Sequence, residues 1–307
     1  MRTAWLRASP QNNGRKLKVM SHKIILVAET GSDVTPALAQ EYGIHLVPMH
    51  VSMGDQTLDD GSFPPEDVCA YYDRTGKVPQ TSASVPSDFE TVFDEIHTCH
   101  PDAHILHLAY SAVTTCSYQS ALLAAEGRDY VTSFDTKHVS VGQAAVVIAV
   151  AEMLRAHPEY TVEEAVEGAK YIASHTQMCF IPKNLDYLRA GGRVSNVVAL
   201  TGNLLGLHPC IEILDGRLMA KKKYRGALNK VIPKLIHDFS EKNALKKDHL
   251  RFIWTPGFPD ELKQLAEETA KECGFQSVSW MKTGCVITSH SGPSAFGIVG
   301  VSEDGTV

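Results

Sequence analysis

The 307-residue chain is expected to fold as an α/β protein of two units, and three observations carry that expectation. Short apolar runs at 23–28, 44–51, 104–109 and 130–134 alternate with helix-like stretches, the pattern of a mostly parallel sheet covered by helices on both faces. A second α/β series starts near residue 175 and contains Asp215-Gly216 between apolar runs, a strong hairpin signal that makes the second sheet a mixed one. The length, with 44% hydrophobic and 21% charged residues, suits two domains. The expected division is an extension at 1–22, an N-terminal domain at 23–175 and a C-terminal domain at 176–307.

Taken in order, strand 23–28 ends in the polar turn Glu29-Thr30-Gly31-Ser32-Asp33, and 35–42 reads as a helix. Strand 44–51 carries Pro48, which suits an edge or irregular strand, and 55–61 reads as a loop. Pro64-Pro65-Glu66-Asp67 opens a helix with proline in its first turn and acids near its N-terminus. Ser87-Asp88-Phe89-Glu90 begins another, running toward Ile96. Helix 118–125 follows the third strand, and Asp135-Thr136 and a long helix 142–154 follow the fourth. Thr161-Val162-Glu163-Glu164 is a capping pattern for a helix to 175 that reads as the bridge to the second unit. There, 178–181 is a strand, 184–189 and 196–204 are helices, and 209–214 with 217–223 forms the hairpin. Helix 225–239 contains Pro233. Strands at 250–254 and 276–281 flank helix 259–273, and closing strands lie at 285–289 and 295–301.

Composition excludes several functions. A net charge of −6 leaves no general basic footprint for nucleic acid. The seven cysteines are scattered without a Cys-x-x-Cys, which indicates buried thiols in a reducing, cytoplasmic setting rather than disulfides or zinc. The other histidines lack partners at ligand spacing, so no metal is assigned. The richest apolar stretch, 139–154, is interrupted by Ser140, Gln143 and Glu152, too short and polar to span a membrane. Residues 1–22 carry Arg2, Arg7, Arg15, Lys16 and Lys18 without a sustained apolar run, unlike a signal peptide. They read as a disordered extension, or as a misassigned start with translation beginning at Met20.

Chemistry concentrates in two hydroxyl-rich segments, Pro79-Gln80-Thr81-Ser82-Ala83-Ser84 and Tyr110-Ser111-Ala112-Val113-Thr114-Thr115-Cys116-Ser117-Tyr118-Gln119. The second lies between a strand end and a helix start, where open α/β sheets collect ligands. One hydroxyl suffices for a cap. Ser111, Thr114, Thr115 and Ser117 together, with no Asp or Glu in either segment, point to a site for an anion or carboxylate. Glu29 and Asp33 could hold magnesium or move a proton; equally, Asp33 could cap the following helix while Glu29 orders a loop. Asp59-Asp60 reads as a charged surface loop. His290, in the polar turn Thr288-Ser289-His290-Ser291-Gly292-Pro293, could donate to a bound carboxylate or phosphate. Ser111, His290 and Asp135 could compose a hydrolase relay, but the Gly-x-Ser-x-Gly elbow is missing.

These residues resemble the DegV family of bacterial fatty-acid-binding proteins from Lys23 to the C-terminus. Glu29-Thr30 with Ser32-Asp33 is similar to its turn after the first strand, and Thr81-Ser82-Ala83-Ser84-Val85-Pro86 to its Thr-Ser-Gln-Pro segment. Residues 111–119 resemble its Ser-Ser-Gly-x-Ser-Gly-Thr-Tyr-Gln, with Asp135-Thr136 for its Asp-Ser. Leu188-Arg189-Ala190-Gly191-Gly192-Arg193-Val194-Ser195, Pro209, Asp215-Gly216, Arg225 and the terminal His290-Ser291-Gly292-Pro293 continue the match. The resemblance implies one long-chain fatty acid in a tunnel between the domains, its carboxylate held by Thr81 and Ser82, by Ser111 or Thr115, and by His290. It implies a non-catalytic protein that presents this ligand to a fatty acid kinase for phosphorylation to acyl phosphate, with no cofactor and at most transient contact with a membrane surface. Arg193 and Arg225 would serve as domain glue or face the partner. Val113 and Cys116 replace family glycines, so the turn is expected to be reshaped. The alternatives are a hydrolase using Ser111 or Thr115, a phosphotransferase using Glu29 and Asp33, and a regulatory protein with a closed tunnel.

Overall fold

The computed structural model describes residues 23–183, 185–192 and 206–304. The extension at 1–22, Arg193 and the helix expected at 196–204 lie outside the described residues. In the N-terminal half, β1 (Ile24–Glu29), α1 (Pro36–Tyr42), β2 (Ile44–Val47), β3 (His50–Met53), β4 (Gln56–Asp59), α2 (Glu66–Thr75), β5 (Gln80–Ser82) and α3 (Pro86–Cys99) come first. Then follow β6 (His104–Ala109), α4 (Ser117–Ala124), β7 (Val131–Asp135), α5 (Ser140–Ala156) and α6 (Val162–His175). The C-terminal half contains β8 (Thr176–Ile181), α7 (Asp186–Gly191), β9 (Leu207–Leu214), β10 (Arg217–Arg225), α8 (Leu228–Lys242) and β11 (Leu250–Trp254). It ends with α9 (Asp260–Glu272), β12 (Val278–Lys282), α10 (Cys285–Ser291) and β13 (Phe296–Val301).

Three sheets result. The order β2-β1-β6-β7 is wholly parallel, and its strands are apolar because helices cover both faces. A small antiparallel sheet, β4-β3-β5, stands beside it. The third, β10-β9-β8-β13-β11-β12, is mixed, with β11 and β12 its parallel pair. Asp215 and Gly216 both take positive φ, 45° and 76°, the backbone that a two-residue hairpin demands. Thr161 Oγ1 accepts from Glu164 N at 3.3 Å while Thr161 N donates to Glu164 Oε2 at 2.8 Å, completing the capping box of α6.

Three elements differ from the sequence expectation. The single strand at 44–51 is two strands in different sheets, because Pro48 has no N–H to continue a ladder; its carbonyl instead accepts from Ser84 Oγ at 2.7 Å. Residues 56–59, expected in a loop, pair with β3. Residues 285–291 form a helix rather than a strand, since carboxylates from the N-terminal half take the first amides of that segment. Helix α6 ends at His175 and β8 begins at Thr176, so the chain passes from one half to the other there. The amphipathic α6 is less central than α5, which is apolar nearly all round and is buried along most of its length. One core accordingly joins Leu26, Leu106 and Val146 to Met178, Phe180, Ile211 and Ile253.

Glu29, at the end of β1, is fully buried and accepts from Tyr110 N and Gln143 Nε2, each at 2.9 Å. His107 Nε2 lies 3.3 Å from its other oxygen. Burial alone would raise this carboxyl, but His107, the Tyr110 amide and Gln143 outweigh burial and hold it below its ordinary value. The stabilisation is therefore present above the ordinary carboxylate range and is lost as pH falls through the folded-state value. Glu29→Ala should destabilise the protein by about 3–5 kcal/mol, as expected when one member of a buried polar pair is removed. Glu29→Gln should flatten the acid limb of stability in urea titrations repeated across pH.

Candidate ligand-binding site

Where the strand order of the parallel sheet reverses, between β1 and β6, the carboxyl ends of the strands open a crevice. The mixed sheet closes it from the other side. The space between the two sheets, open solvent included, amounts to about 890 Å³. Its apolar wall is built from Met178, Phe180, Leu218, Ile253 and Phe296 of the mixed sheet, with Met49, Val139, Leu188, Val286 and Ile287. Among the described residues, no Asp, Glu, Lys or Arg lines it.

Polar groups collect at one end. Thr81 on β5 is placed by the pairing of β5 with β3, opposite Val51, and its Oγ1 lies 2.8 Å from His290 Nε2. His290 belongs to the last turn of α10 rather than to the turn expected from sequence. Its ring occupies the space above Gly191, where a Cβ would overlap Nδ1; the Gly191-Gly192 pair is thereby explained, with Gly192 ending α7 at a φ of 62°. Ser84 ties the two hydroxyl segments together. Its N donates to Ser117 Oγ at 3.2 Å, and Thr115 Oγ1 accepts from Ser117 N at 3.3 Å. Thr81, Ser82, Thr114, Thr115 and His290 all line the cavity.

Ser111 lies elsewhere. It is buried outside the cavity lining, and its Oγ donates to the Gly216 carbonyl at 2.8 Å, fastening the second hydroxyl segment to the hairpin of the other half. Val113 and Cys116 are accommodated without positive φ, and Val113 packs beside Gly216. The hydrolase relay is not assembled: Asp135 accepts from Ala112 N at 3.3 Å and Lys137 N at 2.9 Å, and His290 faces Thr81. Arg225 is exposed at the end of β10.

Other hydroxyls in and beside the cavity are bonded within the protein. Thr255 Oγ1 accepts from Ala295 N at 2.7 Å, Thr283 and Thr288 hydroxyls are 2.8 Å apart, and Ser291 Oγ donates to Ile287 O at 2.8 Å. Asp33 does not cap α1; Thr35 does, accepting from Leu38 N at 3.3 Å. Asp33 instead reaches α10, as does Asp60, which is 5% exposed and is no surface residue. Neither contact carries a local sequence signal, because the partner amides are more than two hundred residues away. Gly191→Ala should push the His290 ring off Thr81 at a cost of about 1–3 kcal/mol, the usual range for overpacking. Thermal melts together with the imidazole NMR signals of the variant would check this.

Comparisons with known proteins agree with this architecture. A sequence model described as "Uncharacterised protein, DegV family" matches residues 23–303. A DegV domain-containing protein of Deinococcus radiodurans is 28% identical over 279 residues, 90% of this chain and 97% of the relative. A protein of Thermotoga maritima named fatty acid-binding protein is 28% identical over 284 residues, 90% of this chain and 96% of that one. The structure of a DegV family protein from Thermus thermophilus, described by its fatty acid binding, superposes with a TM-score of 0.81 at 25% identity, covering 91% of this chain and 99% of that one. The chain belongs to the DegV family.

Proposed function

We propose that the protein binds one long-chain fatty acid in the cavity between its halves, with the carboxylate at Thr81, Ser82, Thr115 and His290 and the chain along the mixed sheet. The observation that carries this is one cavity with a largely apolar wall at which Thr81 and His290 meet 2.8 Å apart. Each buried CH₂ contributes roughly 0.8 kcal/mol, so the chain supplies most of the affinity. The head group then needs hydrogen bonds, because a bare buried carboxylate is costly. The Thermotoga maritima and Thermus thermophilus relatives, described by fatty acid binding, support the same ligand class.

The protein acts as a carrier in the cytoplasm and not as an enzyme. Buried Glu29 and Asp33 are occupied by donors from the protein itself, the Ser111 hydroxyl is held by a backbone carbonyl, and His290 faces Thr81 rather than acting as a base toward Ser111, all of which favours a carrier. A carrier that holds a carboxylate through hydroxyls leaves an oxygen able to accept a phosphoryl group, which supports presentation to a fatty acid kinase. Exposed Ser82 and Val113, and Arg225 on β10, are candidate parts of the face that partner would meet.

Native mass spectrometry of protein purified from a lipid-containing host should show one acyl chain per protein; empty protein under conditions that retain lipid would contradict the proposal. Thr81→Val keeps shape and removes the hydroxyl. It should weaken palmitate binding in calorimetry by about 1.5–3 kcal/mol, the worth of a hydrogen bond to a charged group.

A further inference from the structure

α10 has seven residues, too few to hold a helix in water unaided. Its first turn is held by side chains of the N-terminal half. Asp33 Oδ1 accepts from Gly284 N at 2.6 Å, and Asp60 Oδ1 accepts from Cys285 N at 2.8 Å and Val286 N at 3.3 Å. Both carboxylates converge on one point: a Cβ at Gly284 would stand 3.1 Å from Asp60 Oδ1 and 3.4 Å from Asp33 Oδ1. The second Asp33 oxygen accepts from Ser140 Oγ at 2.5 Å. Asp33 and Ser140 are both in the left-handed region, with φ of 61° and 51°, a cost that surrounding contacts must offset. The Asp33 and Asp60 carboxyl groups are nearly inaccessible and are not among the residues lining the cavity described above. Together they hold the start of the helix whose last turn carries His290.

Resting on the fatty-acid role proposed above, we propose that Asp33 and Asp60 are positioning residues for the carboxylate site. By gripping the first turn of α10 they set where His290 meets Thr81, and ligand affinity follows the state of the pair.

Two carboxylates on one turn disfavour each other's charge. Burial, aided by Asp60, pushes Asp33 up to about 8 against the opposing hydrogen bonds of Ser140 and Gly284. Burial also raises Asp60, opposed by the Cys285 and Val286 amides and Thr30. From α10 itself the facing groups are the Cys285 thiol, pushed up to about 12 by burial and Asp60, and His290 at the far end. From β12 comes Lys282, engaged by Glu66 at 2.5 Å. Ser140 of α5 does not titrate. Asp33 thus keeps its proton at neutral pH; its folded value lies above the ordinary one, so stability falls as pH rises toward about 8. Above that, a buried charge appears on Asp33 beside the Asp60 carboxyl and loosens the grip on α10.

The test uses the full chain labelled with [15N]histidine, with His290→Gln for assignment, and compares palmitate with its methyl ester from about pH 6 to about pH 9. In the wild type, palmitate affinity should fall about tenfold between about pH 7 and about pH 9, the equivalent of one pKa unit of coupling, and the His290 signals should move in the same window. Asp33→Asn, isosteric and able to keep both hydrogen bonds, should abolish the fall in affinity between about pH 7 and about pH 9 and leave the His290 signals only the titration of the imidazole itself. Asp60→Ala should shift the His290 signals and weaken palmitate about tenfold, more than it weakens the ester. If Asp33→Asn keeps the wild-type pH profile of the His290 signals, the positioning role is overturned; this variant decides alone if Asp60→Ala does not fold. A wild type that binds neither acid nor ester would defeat the fatty-acid role, and the His290 signals would still decide the positioning role.

Discussion

The arrangement depends on a helix that cannot stand by itself. α10 exists because Asp33 and Asp60, carried by the loops after β1 and β4, accept the amide of its N-cap Gly284 and its own first two amides. A helix start whose amides find carboxyl oxygens is stabilised by hydrogen bonds that the helix itself cannot supply. The same contacts fasten the halves of the molecule together at the side of the cavity. At the far end of α10, His290 completes the polar end with Thr81. Neither half contains the site: one supplies the carboxylates and the threonine, the other the helix and the apolar wall.

The polar groups buried around this point fall into two kinds. Glu29, Asp33, Ser111 and Ser84 have protein partners that fix strand ends and loops. Thr81, Thr115 and His290 line the cavity. The division matters because an apolar ligand requires a wall without competing donors, while its head group requires donors already in place. Hydroxyls such as Thr255 and Thr283, bonded within the protein, satisfy the first condition beside the apolar wall. The Thr81–His290 pair satisfies the second.

Much of the fold was legible in the sequence because its signals are local. Parallel strands buried on both faces read as apolar runs, the capping box of α6 occupies four consecutive residues, and Asp215-Gly216 announces its own hairpin. The density of hydroxyls marked both segments that bound the polar end. Which hydroxyl faces the cavity was not legible: Ser111 and Thr115 are chemically alike, and only the Gly216 carbonyl of the other half draws Ser111 away. Cys285-Val286-Ile287-Thr288 has the composition of a strand and becomes a helix through carboxylates more than two hundred residues distant. Asp60 looks like any charged loop residue until those amides are in place.

A crystal structure of the protein crystallised with palmitate tests the central claim most directly. Continuous tubular density along Phe180, Leu218 and Ile253, ending within hydrogen-bonding distance of Thr81 and His290, is the expected result. Density with its carboxylate end at the mixed sheet, or a cavity filled only by water at saturating palmitate, would contradict it.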